Sequence, residues 1–313
     1  MLPLRFPALL PLALSACLAP AWGGDAPPAA PSRPAQFILA GDVDRSGPVT
    51  LSQLRTLPAT RQAAGGTHAQ VGASLWAVLD RAGLQIDPSR RNDLLNRYVL
   101  VTGSDGRKVV FSLGELSPHF GNRQGLVAYA DAVDGVLSPL PDKGLLQILA
   151  TGDVQAGRHI AWPARVDVRS SASTVPEQGD VVSNAVRVSG AVRRPGTFDL
   201  AALKALPAVT RTVGADTYVG VSLWHLLNTT LGLAAGQPLG MYVVASGSDG
   251  QKAVVSIGEI DPAAGNQPVL VAYQVNGVPI DVDGFARLVV PNDARKSRHV
   301  SSLMALEVFV ARP

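Results

Sequence analysis

The sequence predicts an α+β protein built from two tandem mixed-sheet domains, and three observations carry that expectation. The chain repeats itself, short strand patterns outnumber short helical ones in each repeat, and regular strand–helix–strand alternation is absent. A chain of 313 residues has room for two domains of ordinary size. An apolar fraction of 47 % lets each bury a core of its own.

The repeat is read directly from the residues. Gly41-Asp42-Val43 returns as Gly190-Ala191-Val192, and Leu51, Leu54, Leu57 and Pro58 return as Leu200, Leu203, Leu206 and Pro207. Gly72-Ala73-Ser74-Leu75-Trp76 matches Gly220-Val221-Ser222-Leu223-Trp224. Further on, Gly103-Ser104-Asp105-Gly106 matches Gly247-Ser248-Asp249-Gly250, and Arg158-His159-Ile160 matches Arg298-His299-Val300. These matches set the domains at 36–169 and 184–313, joined by a polar linker, 170–183.

Each repeat has the same expected layout. Thr50 and Asp199 can cap short helices that end by Pro58 and Pro207. Ser74 and Ser222 can cap the next helices, which carry Leu75, Val78, Leu79 and Leu223, Leu226, Leu227 on one face and place Trp76 and Trp224 in the core. Tyr98–Thr102 and Lys108–Ser112 flank a Gly-Ser-Asp-Gly turn, as do Tyr242–Ser246 and Lys252–Ser256, which is a strand–turn–strand signal with Asp105 and Asp249 as turn residues. Ser112 to Glu115 and Ser256 to Glu259 have capping-box spacing, so both glutamates read as helix caps. Strands follow at Leu126–Tyr129 and Leu270–Gln274, at Leu145–Ala150 and Arg287–Val290, and at Val166–Val168 and Leu306–Val310.

The first residues read as an export signal, 1–23. Arg5 precedes an apolar run, Phe6 to Ala16, too short to span a bilayer. Leu14-Ser15-Ala16-Cys17 has the form of a lipobox, with Cys17 as the lipidated residue; cleavage near Ala21-Trp22-Gly23 is the other reading. A proline-rich tether, 24–35, follows. The expectation is a periplasmic protein, either soluble or held to the membrane only by an N-terminal lipid. Cys17 is the one cysteine of the chain, so the folded part has no disulfide. The net charge of +3 is scattered, which argues against a nucleic-acid surface. Gly-x-Ser-x-Gly, Gly-x-Gly-x-x-Gly, P-loop and paired Cys or His spacings are all missing.

The second repeat also carries a family resemblance. Asn276-Gly277-Val278-Pro279-Ile280, the run Gly284 to Pro291, and Arg298-His299-Val300 together resemble the end of the molybdopterin-binding domain of the sulfite oxidase family. Gly220-Val221-Ser222-Leu223 resembles that family's Gly-Val-Pro-Leu, and Gly157-Arg158-His159-Ile160-Ala161-Trp162 carries the resemblance in the first repeat. The resemblance implies that Arg158, His159, Arg298 and His299 face a cofactor, with Arg287 joining them in the second repeat only, since its counterpart is Gln147. The departures concern chemistry. The family holds molybdenum through a cysteine in a loop that here reads Arg61 to Gly65 and Arg211 to Gly214, without cysteine. A lysine of the family's Arg-His-Val-Lys-Trp pattern is Ala161 or Ser301.

No cofactor is therefore expected, molybdopterin being the one the resemblance would allow. The expected function is a non-redox module of the cell envelope that binds an anionic small molecule or a protein partner. Two alternatives stay open: a molybdopterin-dependent oxidoreductase, or a subunit of one, that binds the cofactor without a cysteine ligand; and a structural envelope lipoprotein. The expectation leans away from an enzyme; if the chain is one, the resemblance implies a molybdopterin-dependent oxidoreductase. Arg298 and His299, with Arg287 nearby, are the expected anion site, with binding that tightens as the histidine protonates. The competing role for each arginine is a local pair with Asp153 or Asp293, five residues earlier.

Overall fold

The computed structural model describes residues 35–313 except 66, 141–144, 180 and 235. The export signal, Cys17 and all of the tether but its last residue lie outside the described residues. The described residues form one compact unit.

In the first repeat the chain runs through β1 (Gln36–Gly41), β2 (Gly47–Thr50), α1 (Leu51–Leu54), β3 (Ala59–Gly65), β4 (His68–Ser74), α2 (Leu75–Ala82), β5 (Arg97–Gly103) and β6 (Lys108–Ser112). It continues through α3 (Leu113–Leu116), β7 (Gly125–Val133), β8 (Val136–Ser138), β9 (Gln147–Ala150), β10 (Ile160–Ala161) and β11 (Pro163–Ser170). The second repeat has β12 (Val186–Gly190), β13 (Gly196–Phe198), α4 (Leu200–Lys204), β14 (Ala208–Val213), β15 (Asp216–Ser222), a π-helical segment (His225–Thr230), β16 (Met241–Gly247) and β17 (Lys252–Ser256). It ends with α5 (Ile257–Ile260), β18 (Leu270–Val275), β19 (Val278–Pro279), β20 (Arg287–Val289) and β21 (Leu303–Val310).

The fold is α+β with mixed sheets. The first repeat forms one sheet in the order β2-β1-β11-β5-β6, and the second answers with β13-β12-β21-β16-β17. In each, one pair is parallel, β1 with β11 and β12 with β21, and the other pairs are antiparallel. A second sheet in each repeat runs β10-β9-β7-β4-β3 or β14-β15-β18-β19, with β8 and β20 attached to β7 and β18. Strand β3 is an unanticipated element: the segment around Arg61–Gly65 is not a loop but the outer strand of a hairpin with β4.

The central strands β5 and β16 explain how the repeats meet. Their residues Tyr98 to Val101 and Met241 to Ala245 are apolar without alternation, the pattern of a strand covered on both faces. Val99 and Val101 point into the first repeat's core, while Met241, Val243 and Ala245 point into the second's. The opposite face puts Tyr98, Leu100 and Val110 against Tyr242, Val244 and Val254 in one shared cluster. Tyr98 stacks on Tyr242 with ring centroids 4.4 Å apart, and Phe309 extends the stack at 5.4 Å from Tyr242.

The caps form as the residues dictate: Thr50, Ser74, Ser112, Asp199 and Ser256 each accept the backbone N–H three residues on. Most of these helices are single turns, because the flanking strands are joined across only a few residues. Trp76 and Trp224 are half-buried at equivalent places, packed against the two cores rather than enclosed by them. The helix after Ser222 departs from its partner. The second repeat has one residue more between Ser222 and Leu233 than the first has between Ser74 and Leu84, although both leucines bridge to equivalent valines, Val192 and Val43. That extra residue is absorbed as π-helical winding between two fixed ends.

Candidate functional site

Arg158 and Arg298 end equivalent short 3₁₀ turns, and both are 1 % exposed. Nε and Nη2 of Arg158 donate to Asp153 Oδ2 and Oδ1 at 2.7 and 2.6 Å, while Nη1 donates to Glu115 Oε1. Arg298 repeats the pattern: Nε and Nη2 donate to Asp293 at 2.6 and 2.5 Å, and Nη1 donates to Glu259 Oε1 at 2.7 Å. A planar guanidinium meets a carboxylate through two parallel bonds, so each aspartate occupies one full side of the fork.

The same cluster ties the two repeats together. Ser256 Oγ donates to Glu115 Oε2 at 2.9 Å, and Ser112 Oγ donates to Glu259 Oε2 at 3.2 Å, each bond passing from one repeat to the other. The arginine stems cross in the same way. A Cβ on Gly114 would overlap Arg298 Cδ, and one on Gly258 would overlap Arg158 Cδ, so each one-turn helix offers a bare backbone to the other repeat's arginine. The Phe111 ring lies 4.9 Å from Arg158 Cζ. Backbone bonds close the arrangement: Val154 N–H donates to Ala264 O at 2.8 Å, and Ala294 N–H to Phe120 O at 2.9 Å.

Two guanidinium groups here face four carboxyl groups, so full ionisation leaves two negative charges in excess inside the protein. Burial pushes the Glu259 carboxyl up to about 7, with Arg298 pulling against it and Glu115 and Asp293 adding to it. Burial alone would lower both arginines, but Glu115 with Asp153 and Glu259 with Asp293 outweigh it and hold them above their ordinary value.

The other residues singled out in the sequence are dispersed. His299 is buried, edge-on to Tyr218 at 6.1 Å, with Nε2 3.3 Å from Val290 O; burial pulls it down to about 4. It is thus neutral in mild acid, contrary to the expected protonation near 6.5. His159 is half-buried. Arg287 donates from Nη2 to Asp283 Oδ2 at 2.8 Å, away from the Arg298 cluster's carboxylates. The structure brings together Arg158 and Arg298, not Arg298 with His299 and Arg287 around a concavity. Glu115 and Glu259 are the residues the sequence undervalued. Glu115 does cap its helix, accepting Ser112 N–H at 3.2 Å, yet it also neutralises an arginine. The available signal was that serine, glycine, glutamate and arginine all recur in register in both repeats.

Concavities lie elsewhere. A cleft of about 390 Å³ opens in the first repeat beside α1 and α2, over Leu39, Leu54 and Val78. A polar cleft of about 610 Å³ lies between the loop at Arg90 and Arg91, the linker at Ser173, and Asp249 and Lys252 of the second repeat. Asp105 and Asp249 accept the N–H two residues on, as turn residues do. Among the described residues, no group of three or more His, Cys, Asp or Glu has a metal-holding arrangement, and no helix is long and apolar enough to cross a membrane.

No protein-family model matches the chain, and no curated protein sequence matches it. Among solved structures, the chain is similar to the crystal structure of the sulfane dehydrogenase SoxCD from Paracoccus pantotrophus, with 18 % sequence identity and a TM-score of 0.34. The match covers 58 % of this chain and 51 % of that one, so the chain spans about half of that protein's length.

Proposed function

We propose that the chain is a non-redox binding module of the cell envelope, in which the arginines of a cofactor-type loop hold two repeats together. The observation that carries this reading is the buried pairing of Arg158 and Arg298 with carboxylates. All three nitrogens of each guanidinium donate to carboxylates of its own repeat, and both are 1 % exposed. A phosphate-bearing cofactor would have to displace Asp153 or Asp293 and then share a site with excess buried negative charge. The segments where the resembling family has its thiolate are β3 and β14, which carry no cysteine. A soft metal held partly by thiolate finds no equivalent donor in alanine, threonine or valine. The residues present therefore do not fit a molybdenum–pterin group held in that family's manner. Protein purified from its native host, grown with ample molybdenum, is expected to contain no stoichiometric molybdenum or pterin by elemental and fluorescence analysis. One molybdenum per chain would overturn the reading and favour the oxidoreductase.

The location proposed with it is the periplasm, with Cys17 as the lipidated N-terminus. Stable attachment needs more than one acyl chain, which a lipoprotein N-terminus supplies. Mass spectrometry is expected to find an acylated Cys17, and Cys17→Ala to leave the protein unprocessed or unanchored; an unmodified N-terminus beyond Trp22 would replace this with a soluble periplasmic protein.

A further inference from the structure

We propose that the cleft of the first repeat is a binding site for a small carboxylate carrying an apolar chain. The proposal deepens the binding-module reading, on which it rests, by giving it a site and a ligand class. The cleft, about 390 Å³, falls within the range of small-molecule pockets. Its floor is apolar, with Leu39 and Leu54 fully buried beneath it and Leu57 and Val78 at its wall. Its mouth carries two guanidinium groups. Arg45 Nη2 donates to Arg81 O, and Arg81 Nη1 donates to Gln53 O at 3.2 Å and to Thr56 Oγ1. All of these acceptors are neutral. Among the described residues neither arginine pairs with a carboxylate, and Asp44, the neighbour of Arg45, is turned toward Gly83. Two like charges over an apolar floor fit an anion with an apolar body: the carboxylate would take charge-assisted bonds at the mouth, and the chain would cover the leucines.

The second repeat carries larger side chains at the equivalent places. Arg194 Nη2 donates to Thr230 O at 2.6 Å, as Arg45 does to Arg81 O, which fixes the correspondence of Thr230 with Arg81 and of Leu231 with Ala82. Val49 corresponds to Phe198 by its place beside the paired glycines Gly47 and Gly196, and its cross-strand partner changes in the opposite sense, Phe37 against Val186. Phe198 and Leu231 come up beside Gly196. A Cβ on Gly196 would lie 3.5 Å from Phe198 Cε2 and 3.9 Å from Leu231 Cδ2, whereas one on Gly47 would meet nothing within 4 Å. The same fold thus sets an aromatic ring and a leucine beside this glycine in one copy and leaves the glycine uncovered in the other. In the first copy a second arginine, Arg81, stands where the second copy has threonine.

The test is calorimetric titration of the full exported chain with octanoate, and with octanol as its uncharged counterpart. Octanoate is expected to bind at one site per chain, and octanol roughly tenfold or more weakly, as loss of a charge-assisted contact implies. The triple variant Phe37→Val, Val49→Phe, Ala82→Leu installs the second repeat's own residues at these three places, so it should fold by circular dichroism and no longer bind. Arg81→Thr should weaken octanoate roughly tenfold and leave octanol unchanged. Octanol binding as tightly as octanoate, undiminished binding by the triple variant, or no octanoate binding would each overturn the proposal. Molybdenum content of the same preparation separates the two failures: metal-free protein that ignores octanoate loses the site and keeps the module, whereas bound molybdenum removes the module itself.

Discussion

Glu259 and His299 are displaced from their ordinary pKa values in opposite senses by the same cause, burial. Glu259, raised from 4.5 to about 7, binds a proton more readily folded than unfolded. Its contribution to stability is complete below pH 4.5 and is lost as pH rises toward 7. His299, lowered from 6.5 to about 4, binds its proton more readily unfolded. Its contribution is complete above pH 6.5 and is lost as pH falls toward 4. The two slopes oppose each other between pH 4.5 and 6.5. Urea midpoints across that window should therefore climb more steeply with pH in Glu259→Gln than in the parent, and less steeply in His299→Gln. Parallel profiles for all three proteins would show that neither group titrates there.

Among the elements, the one-turn helices α3 and α5 do more than their length suggests. An isolated helix of one turn is unstable, since nucleation fixes several residues for little hydrogen bonding. These persist because each is capped at its start, buried throughout, and pressed by the arginine stem of the other repeat. Ser256 serves twice, capping α5 through Glu259 N–H and reaching Glu115 across the repeats. Ser74 only caps, receiving Ala77 N–H at 3.0 Å. Ser74→Ala should thus cost about 1 kcal/mol, the value of a cap. Ser256→Ala should cost about 2–3 kcal/mol, because it also leaves a buried carboxylate oxygen short of a donor. Equal losses in denaturant titrations would reduce Ser256 to a cap.

At the scale of the molecule, the repeats share a face that neither can cover alone. The strands β5 and β16 expose Tyr98, Leu100, Tyr242 and Val244 unless the partner repeat is present, and the arginine–carboxylate cluster is completed by serines from across the divide. The two repeats should therefore unfold together. Calorimetry and near-ultraviolet circular dichroism are expected to report one coincident transition; two resolved transitions would mean that the shared face contributes little. A first repeat made alone would carry an exposed apolar sheet face, a recognised route to self-association.

Much of this was legible in the sequence, because it depends on local pattern. The duplication, the Gly-Ser-Asp-Gly hairpins, the serine and threonine caps and the α+β class all follow from periodicity, turn residues and hydrogen-bonding side chains acting over a few positions. The competing role for the arginines was legible too, since Asp153 and Asp293 stand five residues before them. The tertiary structure decided what local pattern does not encode. Only packing shows that Tyr98 and Leu100 cover the other repeat rather than a ligand, that Glu115 and Glu259 hold charges as well as caps, and that β3 is a strand despite its alanines and glycine. Only packing shows that one more residue before Leu233 becomes a π turn, and that Leu231 after it stands with Phe198 beside Gly196 where Ala82 and Val49 leave Gly47 uncovered. In each case the deciding partner lies on another strand or in the other repeat, and a side chain's role there is fixed by the volume and charge facing it, not by its neighbours in the chain.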